Sequence, residues 1–380
     1  MSSGLYRSYA ALLLGALGPI YAGSRDSVKM PKEAKKRLRA LKGEKKAKEE
    51  EESDDEDEEV ERLTRDDAYW FPVLGSVVLF SLFLAFKYLP KIWINRILGG
   101  YMALMAVFGL VRSGSKVARK VVGNERWRKL DKWKLALTRN GDDEGHFTFT
   151  SLHFVLLPLG ALVSFVQLYT GNWVLNNVVA LSFSFNAISL LGIDSFMTGS
   201  ILLAGLFFYD IWWVFGSKAV FGKGADVMVT VATSFEAPIK LVVPKDLSKP
   251  ADVSLLGLGD IVLPGIFIAL ALRFDYFLAL KKASVPFKPT QSYPKPYFKT
   301  CFVAYIAGLV CTIVVMHTFR AAQPALLYLS PACILSVIGC ALVRGESAEL
   351  WKYVDGEEDA DKAVKENGAG GEAKEEKKDQ

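Results

Sequence analysis

An all-α membrane protein with about nine transmembrane helices is the fold class this sequence predicts, and three observations predict it. Over 380 residues the chain is 51% hydrophobic with a mean hydropathy of +0.22, too apolar for an ordinary soluble protein. The apolar residues gather into runs of roughly twenty, the length that crosses a bilayer core. Short, strongly charged stretches separate the runs, as loops at the water interface do.

The runs lie near residues 5–22, 70–89, 94–111, 149–169, 173–191, 198–216, 255–272, 299–319 and 324–343. Each is read as a helix, the one open-ended way to cross lipid with every backbone group hydrogen-bonded. Lys and Arg crowd into residues 25–65, 112–139 and 273–299, each after an odd-numbered span. Basic loops stay in the cytosol, so the N-terminus is expected to be lumenal and the C-terminus cytosolic. The 217–254 loop, with Lys218, Lys223, Lys240, Lys245 and Lys249, fits that pattern least well. The first span has the short apolar core of a signal peptide. Removing it would flip every later span and put 112–139 outside, so it is read as retained.

This organisation gives a first transmembrane helix at 1–23 and a charged, disordered cytosolic loop at 24–68. An N-terminal bundle at 69–197 with a basic cytosolic loop at 112–148 follows, then a second transmembrane region at 198–345 and a disordered cytosolic tail at 346–380. The net charge of +5 is the remainder of a basic run at 29–48 and an acidic run at 49–59. Neither run has aromatic partners for base stacking, so both read as solvated loop and no nucleic acid is expected. Cys301, Cys311, Cys333 and Cys340 fall in or beside late apolar segments without CxxC spacing, and are read as packing residues. No N-x-S/T sequon occurs.

An acidic side chain at the centre of a transmembrane helix costs about 2.5–3.5 kcal/mol, which makes each one a functional candidate. Asp194 sits at a span boundary within reach of water, and Asp246 and Asp275 read as loop residues. Asp210, in Leu206-Phe207-Phe208-Tyr209-Asp210-Ile211-Trp212-Trp213, and Asp260, in Leu256-Gly257-Leu258-Gly259-Asp260-Ile261, lie inside the sixth and seventh spans. Each is about six residues from the lumenal end of its helix, on the order of 9 Å deep, so the carboxyls of two antiparallel helices can meet at one depth. Two carboxyls that close cannot comfortably both ionise and are expected to share a proton. The ionised one can then take a proton from an attacking water while the protonated one polarises a peptide carbonyl.

Gly257 and Gly259 allow a backbone to approach Asp260 closely, although small residues at this spacing also pack helices. Gln323-Pro324-Ala325-Leu326-Leu327-Tyr328-Leu329 opens the ninth span on the same lumenal side. Pro324 there suits a helix start.

Together these residues resemble a known family: Tyr209-Asp210, Gly257-Leu258-Gly259-Asp260 and Pro324-Ala325-Leu326 are similar to the YD, GxGD and PAL motifs of presenilin and signal peptide peptidase aspartyl proteases. The stretches at 227–232, 234–241 and 323–329 resemble the signal peptide peptidase subgroup, and the resemblance covers roughly 5–22 and 66–350. It implies a nine-span, presenilin-like fold with catalytic Asp210 and Asp260. It also implies that Tyr209, Gly257, Leu258, Gly259, Gln323, Pro324, Ala325 and Leu326 bind substrate or shape the site. The implied substrates are signal-peptide remnants and type II oriented membrane segments of the endoplasmic reticulum, with the lipid bilayer as surroundings and a homo-oligomer allowed.

Residues 217–226 and 25–61 look longer than the family's usual loops, and Lys377-Lys378-Asp379-Gln380 resembles a dilysine retrieval signal. His146, His153 and His317 lack metal-ligand spacing, no HExxH or G-x-S-x-G occurs, and no cofactor is expected. Two other classes use similar residues. A proton-coupled transporter also buries carboxylates, but should show repeated halves with paired broken helices. A non-catalytic chaperone of transmembrane segments has no need of two costly acids.

Overall fold

The computed structural model describes residues 3–42, 60–123, 126–127, 131–139, 142–217, 220, 227–235, 237–246, 252–283, 285–319 and 323–356. The long helices are α1 (Ser3–Asp26), α3 (Arg65–Tyr88), α4 (Lys91–Val122), α5 (His153–Thr170), α6 (Trp173–Leu190), α7 (Phe196–Ile211), α9 (Gly259–Lys282), α10 (Pro296–Phe319) and α11 (Leu326–Arg344). Between and after them lie the shorter helices α2 (Lys32–Lys42), α8 (Val227–Ser234) and α12 (Ser347–Lys352). Eight described helices, α3 to α7 and α9 to α11 without the short α8, are long and apolar enough to cross a membrane. The first expected span, α1, is a 24-residue helix outside that set, with Ala16 and Ile20 fully buried against α6 and α9.

Sequence-local signals set the helix ends. Thr64 and Asp67 form a reciprocal capping box at the start of α3, Asn172 caps α6 and Ser195 caps α7. Gly171, in the left-handed conformation at φ 59°, ends α5.

The helices do not share the membrane equally. In α9 83% of the apolar window is buried, against 11–44% in the other seven, so α9 is the central pillar and the others present a face to lipid. Around it pack α1, α6, α7, α10 and α11, while α3 lies against α7 and α4 against α5 and α6. One cluster of polar groups in this core is matched across three helices. Arg112 of α4 donates to Asn186 and Ser189 of α6 at 2.7 and 3.0 Å, and lies 3.6 Å from Asp26 of α1.

Several expectations are corrected. The seventh span begins at Gly259 instead of residue 255, because residues 255–257 belong to a strand. That strand, β6 (Val253–Gly257), pairs antiparallel with β5 (Lys240–Pro244), in a stretch read as loop. Asp275 is no loop residue: it lies inside α9, 2% exposed, and accepts from the backbone N–H groups of Tyr297 and Phe298 at 3.2 and 2.8 Å. The basic loop is shorter than expected, since α4 runs to Val122 and a hairpin of β2 (Lys132–Arg139) and β3 (Asp142–Thr150) follows.

The charged 24–68 segment contains α2, and its β1 (Glu61–Leu63) pairs in parallel with β4 (Leu191–Ile193), tying it to the α6–α7 junction. The tail is folded at its start. After α12, the N–H of Asp355 donates to the backbone oxygen of Asp194, and Arg273 Nε lies 2.9 Å from Asp355 Oδ2. The acidic run at 49–59, most of the 217–226 loop and the dilysine-like end lie outside the described residues.

Candidate active site

Asp210 closes the last regular turn of α7, beyond which Trp212–Gly216 winds as a π-helical turn. Such turns are local distortions that often accompany functional sites. Here the turn is held by α3: the indole N–H of Trp213 donates to Ser76 Oγ at 3.0 Å, and its ring packs near Phe80. Tyr209 lies over Gly75 of α3, where an added Cβ would stand 3.6 Å from its ring. With its neighbour packed on α3, Asp210 turns inward and is only 3% exposed.

The GxGD segment is a strand-to-helix junction. Gly257 ends β6, Leu258 donates its N–H to the backbone oxygen of Ile239 at 2.9 Å, and Gly259 opens α9. Asp260 therefore stands in the first turn of α9, where the positive end of the helix dipole favours a negative charge. This differs from the expected position about six residues inside the helix, and the extended backbone runs up to Gly257. Gly257 has a steric reason: a Cβ there would lie 3.4 Å from Asp260 Oδ2, in the space beside the carboxylate. Tyr305 of α10 donates its hydroxyl to the backbone oxygen of Asp260 at 3.3 Å and anchors the junction.

The PAL segment completes the site. Pro324, Ala325 and Leu326 are buried, and α11 starts at Leu326 with backbone bonds from Tyr328 and Leu329 to Ala325. The N–H of Leu326, one of those a helix start leaves without an intrahelical acceptor, faces the Asp210 carboxylate. Asp210 and Asp260 in turn interact electrostatically with each other. The structure thus brings together Asp210, Asp260, Gly257 and Leu326. Among the described residues Gln323, half-buried just ahead of Pro324, makes no hydrogen bond to either aspartate.

A family model described as signal peptide peptidase matches residues 55–357. The chain belongs to the signal peptide peptidase family. Signal peptide peptidase of Mus musculus is 38% identical over 358 residues, covering 92% of this chain and 84% of the mouse protein. That of Homo sapiens is 37% identical over 378 residues, covering 97% and 89%. A probable intramembrane protease of Schizosaccharomyces pombe is 37% identical over 292 residues, covering 77% and 84%. The chain is accordingly an intramembrane aspartyl protease of a multipass membrane type, and membership of this family does not favour the transporter and chaperone readings.

Reading the sequence as spans missed the β5–β6 hairpin that delivers Asp260 in this signal peptide peptidase relative. Its signal is local: Lys240-Leu241-Val242-Val243-Pro244 and Val253-Ser254-Leu255-Leu256-Gly257 flank a stretch rich in Pro, Asp and Lys. The hairpin's ladder also tells which groups point outward. Val242 and Lys240 turn backbone groups toward α6, away from β6. Their register partners Leu255 and Gly257 must then turn their own N–H and C=O groups to the far edge of β6. Among the described residues no hydrogen bond reaches that edge, and Leu255 is 45% exposed.

Proposed function

We propose that this protease clears signal-peptide remnants and other single-span, type II oriented segments from the endoplasmic reticulum membrane, with Asp210 and Asp260 as its catalytic pair. The reading is supported by the electrostatic coupling of two carboxylates carried on different helices, with the start of α11 facing one of them. One carboxylate, ionised, takes a proton from the water that attacks the scissile carbonyl, while the other, protonated, donates a hydrogen bond to that carbonyl oxygen. The roles then reverse, and the amine leaves with a proton. The proton belongs to the pair and not to one member.

A substrate helix must unwind before its amide is open to attack, and in apolar surroundings its freed backbone groups need new partners. The outer edge of β6 supplies them by strand addition and ends at Gly257, beside the Asp260 carboxylate. Substrates with helix-weakening residues near the cut are favoured for this reason. In this reading Gly257, Leu258 and Gly259 keep the approach to Asp260 open. Tyr209 holds Asp210 inward, and Gln323, Pro324, Ala325 and Leu326 wall the site. The basic loops put the N-terminus in the lumen and the C-terminus in the cytosol, and the enzyme works as a monomer or homo-oligomer without cofactor.

The test is cleavage of a signal-peptide substrate by purified Asp210→Asn and Asp260→Asn proteins, alongside labelling by a transition-state-mimicking aspartyl protease inhibitor. Each variant is expected to lose activity by about 10³-fold or more. Wild-type cleavage by either one overturns the assignment.

A further inference from the structure

The β5–β6 sheet has two outer edges, and side chains from a separate helix close one of them. Asn177 of α6 holds Val242 from both sides: the N–H of Val242 donates to Asn177 Oδ1 at 2.8 Å, and Asn177 Nδ2 donates to the Val242 oxygen at 2.7 Å. Asn176, 8% exposed, donates to the backbone oxygen of Lys240 at 2.9 Å. The next outward position on β5 is Pro244, which has no N–H to offer. Asn177 makes to Val242 the two bonds that a paired residue of a neighbouring strand would make. Polar amides on a transmembrane helix are costly unless matched, and these two are matched to one strand edge.

We propose that Asn177, supported by Asn176, is a positioning residue for proteolysis: it takes the β5 edge as a surrogate strand, leaves β6 as the edge for an unwound substrate, and holds β6 in register against Asp260. The inference rests on the strand-addition reading given above. Its consequence concerns which bond is cut, since a slip of one residue along a strand turns every side chain and carbonyl to the opposite side. Asn177 itself stays away from the reacting atoms and acts through the hairpin.

The experiment uses full-length Asn177→Ala and Asn177→Asp proteins in lipid vesicles. Aspartate keeps an acceptor for the Val242 N–H and loses the donor, so it serves as the milder variant should alanine fail to fold. The readouts are KM, kcat, cleavage positions by mass spectrometry, and capture by an inhibitor directed at the aspartate pair. For Asn177→Ala, capture is expected to stay within about twofold of wild type, KM to rise about tenfold, and products to spread onto neighbouring peptide bonds, with Asn177→Asp intermediate. Unchanged KM and unchanged cleavage positions overturn the proposal. So does a loss of capture in step with cleavage at unchanged positions, which marks the asparagine as holding the fold alone. A separate arm gives the wild-type enzyme substrates N-methylated at alternate residues beside the cut. Equal cleavage of methylated and plain substrates defeats strand addition itself, whereas discrimination by wild type with no effect of Asn177→Ala defeats only the role of the asparagine.

Discussion

Replacing Asp275 should destabilise the protein while sparing the aspartate pair, because its carboxylate is the cap of a different helix. At the start of α10 Pro296 has no N–H, Lys299 donates back to the oxygen of Lys295, and the N–H groups of Tyr297 and Phe298 between them go to Asp275. Each buried donor left unsatisfied costs about 1–3 kcal/mol, and at 2% exposure the two orphaned donors of Asp275→Ala find little water. A loss of about 2–5 kcal/mol follows. Asp275→Asn keeps one acceptor oxygen and should lose about half as much. In a detergent-solubilised melt followed by tryptophan fluorescence, alanine should lower Tm by on the order of 5–10 °C. Inhibitor capture below the transition should remain. A melting point within about 1 °C of wild type for Asp275→Ala, or asparagine as damaging as alanine, would refute the counting of two bonds.

Acid should weaken the end of α11 through Glu346, whose carboxyl is held down from its ordinary 4.5 to about 2, chiefly by hydrogen bonds from Arg344 against an opposing effect of burial, with Lys282 and Tyr297 assisting. A depressed value means that the contribution is complete above the ordinary value and is lost as pH falls from about 4.5 through about 2. Because Arg344 and Lys282 are 38% and 65% exposed, the loss should be about 1–2 kcal/mol, and Glu346→Gln should remove that slope from a Tm-against-pH series. At the C-terminal latch, Asp355→Ala leaves Arg273, 7% exposed, without its close carboxylate and should cost about 3–5 kcal/mol. Adding Arg273→Met should restore most of that in the same melt. No recovery in the double variant would show that the latch is held by packing of Tyr353 and not by the ion pair.

Much of this molecule was legible without coordinates, for physical reasons that are local. A bilayer demands runs of about twenty apolar residues, so the helices from Arg65 to Arg344 stood out by length and composition. The cost of an acid in lipid singled out Asp210 and Asp260, and the short motifs around them carried the family. Asp275 misled because its acidity was read against its neighbours in sequence. Its partners, Tyr297 and Phe298, come from the next helix.

What the tertiary structure decided lies between elements. It set which helix is the buried pillar, and it converted the expected start of the seventh span into a strand, placing Asp260 at a junction. It also put the asparagines of α6 on the edge of β5. Composition and local cost are properties of single segments, which a sequence reports directly. Pairing of backbone edges and capping across helices depend on distances between segments far apart in the chain, which only folding establishes.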